Sequence, residues 1–345
     1  VTASLRPEVA MPEHGIILFN LGGPDSLRAV EPFLFNLFSD PDIFRVPMGR
    51  LWQRPLARAI AKWRARAVAR HYAQIGGRSP LREWTERQAE RLERKLRAHL
   101  ECRVYIGMRY WHPLIEEAVR AALADGVRAL TLVPLYPQFS FTTTGSSLNE
   151  FQRVWQRYGS PSIPITTIRS YPDHPLYVRA VSERIEEAVG RHHLHAHSSW
   201  ALIFSAHSLP VRFIEDGDPY LEETRRSVEA VLAHLRTESE HRDIYARVPT
   251  ALAFQSRVGP VRWLEPSTVE VVKQFARQGV RDLVLVPISF VSDHIETLYE
   301  LGHEVREIAR AHGVRTFALV EALNDSETFT DALAAIVLEA LDHGT

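Results

Sequence analysis

Gly126-Val-Arg-Ala-Leu-Thr-Leu-Val-Pro-Leu135 and Gly279-Val-Arg-Asp-Leu-Val-Leu-Val-Pro-Ile288 repeat one pattern, with seven of ten positions identical. Each opens on a glycine of the kind that ends a helix and continues as a short apolar run, which reads as a buried strand. Each then enters a polar loop, Tyr136 to Ser147 in one case and Ser289 to His294 in the other. A duplicated strand with a duplicated loop predicts two similar α/β lobes whose loops meet at one cleft. The competing reading is a shared solution for a strand edge.

The elements around these strands alternate. Gly15 to Phe19 reads as a strand, and the turn Asn20-Leu-Gly-Gly-Pro24 follows it without a G-x-G-x-x-G fingerprint. Helices are expected over Leu27 to Phe38, Trp52 to Tyr72 (entered near Pro55), Leu81 to Leu100 and Pro113 to Ala124, with a strand at Cys102 to Met108. The second half supplies strands at Trp200 to Phe204, Val248 to Phe254, Leu283 to Ile288 and Arg315 to Val320. Helices over Tyr220 to Leu235, Val269 to Arg277 and Glu296 to His312 separate them. This βαβα order implies mostly parallel sheets with right-handed crossovers. The expected fold is α/β, two similar Rossmann-like lobes over residues 14–175 and 176–330. A C-terminal helix within 331–345 packs back on the first lobe.

Bulk properties exclude several classes. A net charge of -1 offers no whole-chain attraction to nucleic acid. The single cysteine, Cys102, rules out a disulfide framework within one chain. Residues 1–13 read as a loose tail without the apolar segment of a signal peptide. No apolar run reaches the roughly 18–20 residues of a spanning helix, so a cytoplasmic enzyme is expected, with surface attachment to a membrane open. From Ile43 to Arg82 there is no acidic residue, while arginines from Arg45 to Arg82 interleave with Met48, Trp52 and Trp63. That stretch suits anionic headgroups or an acidic ligand, or else a solvated helix face.

The chemistry-bearing residues sit where strands end, which is where open α/β sheets build sites. His207 leaves one strand between Ser205 and Ser208, and Asp293, His294 and Glu296 follow another. An imidazole there can exchange protons near neutral pH, and carboxylates beside it can fix its tautomer or bind a divalent ion. Glu296, Glu300 and Glu304 form one acidic line on a helix, with a solvated face preferred for Glu304. The spacing is not H-E-x-x-H and no G-x-S-x-G is present, so zinc protease and hydrolase readings fail. His192, His193, His195 and His197 read as a surface loop rather than a metal site. The aromatic and hydroxyl groups of Tyr136 to Ser147 and of Arg109 to His112 suit a flat ligand.

Taken together, Leu18-Phe-Asn-Leu-Gly-Gly-Pro24, Gly76-Gly-Arg-Ser-Pro80, Gly107-Met-Arg-Tyr-Trp-His-Pro113, Leu135-Tyr-Pro-Gln-Phe139 and Thr143-Thr-Gly-Ser-Ser147 resemble the ferrochelatase family. Phe204-Ser-Ala-His-Ser-Leu-Pro210, Gln255-Ser-Arg-Val-Gly-Pro260 and Ser292-Asp-His-Ile-Glu-Thr-Leu-Tyr-Glu300 extend the match to roughly residues 14–325. The resemblance implies insertion of ferrous iron into protoporphyrin IX in a cleft between the lobes, forming protoheme at the last step of heme biosynthesis. It implies His207 and Glu296 as the catalytic pair, with Asp293 and Glu300 joining them as metal ligands. It also implies a porphyrin site lined by Asn20, Leu21, Trp63, Arg64, Tyr110, Phe139, Ser205, Asp293 and His294. Either His207 accepts the pyrrole protons with Glu296 assisting, or the two bind the incoming iron together. Residues 42–62 correspond to an apolar lip that covers the porphyrin and meets a membrane. Iron is a substrate and no cofactor is required. With no cysteine near the C-terminus, no iron–sulfur cluster is expected. An anionic membrane surface, a heme acceptor and an upstream oxidase are the further partners implied. A cobalt or nickel chelatase, and a porphyrin carrier without turnover, are the competing functions.

Overall fold

The computed structural model describes residues 12–44, 50–196, 199–257 and 259–342, without the side chains of Arg50 and Leu51. Most of the expected loose tail, Arg45 and Met48 of the basic stretch, and His197 lie outside these residues. Strands β1 (His14–Asn20), β2 (Cys102–Met108), β3 (Ala129–Pro134) and β4 (Ile165–Thr167) form one sheet in the order β2-β1-β3-β4. Strands β5 (Trp200–His207), β6 (Thr250–Gln255), β7 (Asp282–Pro287) and β8 (Thr316–Leu319) form a second in the order β6-β5-β7-β8. Every pairing is parallel, and the two sheets use the same permutation. The repeated decapeptides are β3 and β7 with their lead-in turns. Phe19 pairs with Pro134 as Ser205 pairs with Pro287, so Leu21 occupies the place in the first lobe that His207 occupies in the second.

Parallel sheets covered on both faces need strands that are apolar almost throughout, and β5 is buried along its length except for the terminal His207. The helices that cover the sheets are α1 (Val30–Phe38), α2 (Arg50–Gln74), α3 (Leu81–Leu96), α4 (Ile115–Ala124), α5 (Ser146–Arg157) and α6 (Pro175–Arg191). In the second half they are α7 (Val211–Glu215), α8 (Tyr220–Thr237), α9 (Arg242–Tyr245), α10 (Thr268–Arg277), α11 (Arg306–Ala311) and α12 (Glu327–Asp342). One hydrophobic core runs from Ile16 and Leu18 of β1 through Tyr177 and Val181 of α6 to Phe204 and Val286 of the second sheet. Helix α12 packs on both α3 and α6. It buries Phe329, Leu333 and Val337, and Lys95 of α3 reaches Asp331 at 2.6 Å.

The structure corrects several boundaries. Strand β5 runs to His207 rather than stopping at Phe204, because Ser205, Ala206 and His207 continue the ladder with Ala253, Phe254 and Gln255. The histidine is therefore the last strand residue, not a loop residue. Glu296 to His312 is not one α-helix. Glu296–Val305 is π-helical and only Arg306–Ala311 is α. The loop Tyr136 to Ser147 likewise contains a π-helical turn, Phe141–Gly145, that feeds α5. Each lobe thus carries a widened turn after its third strand, a device concentrated at functional sites. Thr143, Thr144 and Gly145 are weak α-formers, and the Ser140 hydroxyl accepts from the Thr142 amide at 3.1 Å to start the first of these turns. Helix α2 begins before Pro55, which lies inside it and forgoes one backbone bond. Helix α4 begins at Ile115, because the Pro113 carbonyl is held by the Met108 amide at 2.7 Å.

The lobes are stitched by polar groups near the sheet ends. Gln88 of α3 donates to Ser292 Oγ at 2.9 Å and to the Asn324 carbonyl at 2.7 Å. Ser140 donates to Asp218 at 2.8 Å, and the Phe139 amide donates to Glu223 at 2.7 Å. Burial raises the Asp218 carboxyl, opposed by hydrogen bonds from the Phe141 and Tyr220 amides and from Ser140.

Candidate active site

The C-terminal edge of the second sheet presents His207. Its amide donates to Ser289 Oγ at 2.9 Å, and the Tyr220 hydroxyl donates to its carbonyl at 2.9 Å, which fixes the backbone from two elements. Its Nδ1 lies 2.8 Å from Glu296 Oε2, so the ring donates there and Nε2 is left as the second nitrogen of a side chain that is 36% exposed. Burial alone would lower the imidazole. The carboxylates of Glu296 and, more weakly, Glu300 outweigh it and hold His207 above its ordinary value. Burial works against the Glu296 anion as well, but the imidazolium of His207 holds that carboxyl down at about 2. The two opposite shifts favour the charged form of the pair, imidazolium with carboxylate.

Ser256, the first residue beyond β6, joins a second carboxylate to this pair. Its hydroxyl lies 2.9 Å from Glu296 Oε2 and 2.5 Å from Glu300 Oε2, and its amide donates to Glu300 Oε1 at 2.7 Å. The residue adopts φ 64°, a left-handed conformation uncommon for non-glycine residues. That conformation aims the amide at Glu300. Burial, then the nearby charge of Glu296, pushes Glu300 up to about 7. A layer behind, Ser205 is fully buried, donates to Gln255 Oε1 at 2.7 Å and also meets Thr268 Oγ1 at 2.7 Å. Gln255 Nε2 then points at Glu296 Oε2 from 3.5 Å.

The remaining expected residues separate into groups. Asp293 accepts from Thr297 Oγ1 at 2.9 Å and from Asn324 Nδ2 at 2.7 Å, so its carboxylate ties the start of the π-helix to Asn324. His294 is buried, donates from Nδ1 to the Ser292 carbonyl at 3.1 Å and lies 3.9 Å from Glu296 Oε1. Burial lowers it, which keeps it neutral. Among the described residues, His207, Asp293, Glu296 and Glu300 do not bring three ligand atoms within 4.8 Å of one another. The arrangement is an open array rather than a closed metal cage. Glu304 is exposed, as expected for a solvated position.

In the first lobe, Asn20 is buried and bonds Thr85 Oγ1 at 3.0 Å and the Leu21 amide at 2.8 Å, holding the turn after β1. Leu21 packs against the buried cluster that includes Tyr72 and Tyr110, as does Ile295 of the second lobe. Tyr110 is fully buried. Its hydroxyl donates to Asp40 Oδ2 at 2.5 Å, and Arg109 stacks on its ring while pairing with Asp40 at 3.0 Å. Phe139 is covered by Arg169 at 4.5 Å from the ring centre. Arg64 lies over Phe38 at 5.7 Å, and Trp63 is 81% exposed. Helix α2 reaches the second lobe, where His71 stacks on Tyr299 of the π-helix at 4.2 Å. Tyr72 is buried, and burial, then the charge of Glu296, raises its hydroxyl. Sequence reasoning did not nominate Gln255, Ser256, Ser289 or Tyr72. Gln255 and Ser256 stood in the quoted stretch Gln255 to Pro260 without a role assigned to them, a polar pair at the end of β6, which neighbours β5.

The family profile described as Ferrochelatase matches residues 13–341. The chain is similar to Ferrochelatase of Gloeobacter violaceus, 45% identical over 96% of this chain and 98% of that protein. It is also similar to Ferrochelatase of Aquifex aeolicus, 44% identical over 94% and 98% of the two chains. Among solved structures, the sirohydrochlorin chelatase SirB of Bacillus subtilis subspecies spizizenii, in complex with cobalt, superposes with a TM-score of 0.53. It is 14% identical and 96% of each chain is covered, so that likeness concerns the fold. Two matching parallel sheets, a histidine–carboxylate pair at the strand ends, a family profile over residues 13–341 and 44–45% identity to these relatives over nearly the whole chain lead to one conclusion: the chain belongs to the ferrochelatase family and is an enzyme, a metal chelatase.

Proposed function

We propose that the array of His207, Glu296 and Glu300 exchanges one ferrous ion for two pyrrole protons, in an enzyme that forms protoheme from protoporphyrin IX at the last step of heme biosynthesis. The observation that carries this reading is the 2.8 Å His207–Glu296 pair with Glu300 tied to it through Ser256. Insertion needs an ion that sheds water, a ring bent so that its nitrogen lone pairs point outward, and a base for the protons. Binding energy spent on bending the ring favours the transition state over the flat substrate. A divalent ion arriving between Glu296 and Glu300 favours loss of the protons held by His207 and Glu300. His207 then becomes a neutral base whose free Nε2 takes the pyrrole protons in turn. The alternative, in which His207 and Glu296 first hold the iron together, uses the same atoms in the other order.

The substrate-lining roles of Asn20, Leu21, Trp63, Arg64, Tyr110, Phe139 and Ser205 are part of this proposal. For Asn20, Ser205 and Tyr110 the bonds above favour positioning from behind over direct contact. Asp293 serves best as the residue that holds Glu296's helix. No cofactor is needed, because a two-plus ion replaces two protons without redox change. An iron–sulfur cluster is not expected, since a cluster needs several thiolates and Cys102 is the chain's one cysteine, buried in β2.

Attachment to an anionic membrane is the second part of the proposal. Trp52, Leu56 and Trp63 are 55%, 37% and 81% exposed. At spacings of four and seven they share one face of α2, beside the basic row Arg58, Lys62, Arg66 and Arg70. No helix among the described residues is long and apolar enough to cross a membrane. A cytoplasmic location, peripheral on the inner membrane face and near a heme acceptor or an upstream oxidase, fits this face. Anaerobic mixing with ferrous iron and either protoporphyrin or coproporphyrin tests the substrate. Faster loss of free-base bands for protoporphyrin supports the proposal. A preference for coproporphyrin overturns its substrate, and tight binding without turnover for iron, cobalt or zinc points to a carrier.

A further inference from the structure

Away from the catalytic array, the second lobe brings Glu186 of α6, His195 of the turn Leu194–Ala196 and His241, which precedes α9, to one point. One ligand atom from each lies within 4.8 Å of the others. His195 Nε2 is 3.2 Å from Glu186 Oε2, and the two imidazole rings have centroids 3.5 Å apart, tilted by 34°. A tetrahedral ion with ligands at about 2.0–2.1 Å holds them roughly 3.3 Å from one another, so small side-chain rotations complete the site. The carboxylate is already oriented. Ser239 donates to Glu186 Oε1, and the same hydroxyl accepts from the His241 amide at 2.9 Å. The buried Tyr245 hydroxyl, raised by burial and then by Glu186, closes the inner side. All three ligand residues are partly exposed, which leaves room for a water as fourth ligand.

We propose that Glu186, His195 and His241 form a second metal site, for a divalent transition ion of the zinc class. Two imidazoles and a carboxylate are a donor set that suits zinc. An ion there ties α6 and its connection to β5 to the connection between α8 and β6. The site lies ahead of the first residue of β5, while His207 is its last. Eight residues at about 3.3 Å each separate them by roughly 25 Å. The ion is therefore structural and not an intermediate in iron insertion.

Equilibrium dialysis of the full chain against zinc, with metal analysis, tests this. His207→Ala separates zinc held at the catalytic array from zinc held here. The wild type and His207→Ala should each bind one equivalent more than their His241→Ala counterparts. Cobalt should give a tetrahedral visible spectrum that His241→Ala and Glu186→Gln both abolish, with the rate of iron insertion by His241→Ala within about two-fold of wild type. Zinc should raise the unfolding temperature of the wild type and not of His241→Gln, a variant that keeps a polar side chain of similar reach. Equal zinc content with and without His241, or a cobalt spectrum lost only in His207→Ala, overturns the proposal.

Discussion

His207 Nδ1 stands 2.8 Å from Glu296 Oε2, a contact between the last residue of β5 and the first residue of a π-helix 89 positions later. The bond settles which nitrogen faces outward. It also sets the resting charge state, because the imidazole and carboxylate shift in opposite directions in each other's presence.

Glu296→Gln removes that partner while keeping its shape. Burial then dominates His207 and lowers it, so the ring becomes a weaker proton acceptor. Steady-state insertion should fall by about 10²–10⁴ with porphyrin affinity nearly unchanged. Fluorescence titration of the porphyrin alongside turnover separates the two effects.

The carboxyl of Glu300, raised to about 7, gives the site its pH dependence. A raised carboxyl is protonated below that value and ionised above it. Capture of a divalent ion should therefore strengthen as pH rises through 7. Ser256 donates two hydrogen bonds to the ionised form. Removing its hydroxyl in Ser256→Ala should move the ascending limb of kcat/KM to higher pH. An unmoved limb assigns the titration to another group.

Asp40 and Arg109 form a buried pair at 3.0 Å, with side chains 0% and 11% exposed. Arg109→Met leaves a buried carboxylate without its cation. Loss of one member of such a pair costs about 3–5 kcal/mol. Urea unfolding should record a decrease of that order, and the tyrosine at 110 should lose its fixed orientation in near-ultraviolet dichroism.

The exposed face of α2 predicts lipid binding that needs both apolar and basic groups. Trp52→Ser combined with Leu56→Ser should reduce co-sedimentation with anionic vesicles about ten-fold or more, at roughly 25 cal/mol per Å² of apolar surface withdrawn. Raising salt should weaken wild-type binding further, because the basic row acts through screened charge. Equal binding to neutral vesicles contradicts an electrostatic contribution.

Much of the fold was legible because buried parallel strands are written as short apolar runs. Cys102 to Met108 matched β2 at both ends, and the repeated decapeptide announced equivalent strands in equivalent sheets. The widened turns were not legible. An α- and a π-helix share nearly the same i, i+4 pattern, so Glu296, Glu300 and Glu304 fit either. Nor does sequence say which way a strand-end side chain turns. Asp293 and His294 are adjacent, yet one is spent on Asn324 and Thr297 while the other rests near Glu296. Ser256 lay in the stretch Gln255 to Pro260 that carries the resemblance, but its role depends on a left-handed backbone that the sequence does not spell out. Tyr110 and Ser205 carried the right address at strand ends, but both are buried by partners far away in sequence.

Single-turnover iron insertion by His207→Ala tests the central claim most directly. Enzyme preloaded with protoporphyrin is mixed anaerobically with ferrous iron, and the free-base bands are followed across pH. The account predicts that porphyrin binding survives while insertion slows by at least about 10², with partial recovery on adding imidazole. Insertion at the wild-type rate in this variant would contradict the assignment of His207 as the group that takes the pyrrole protons.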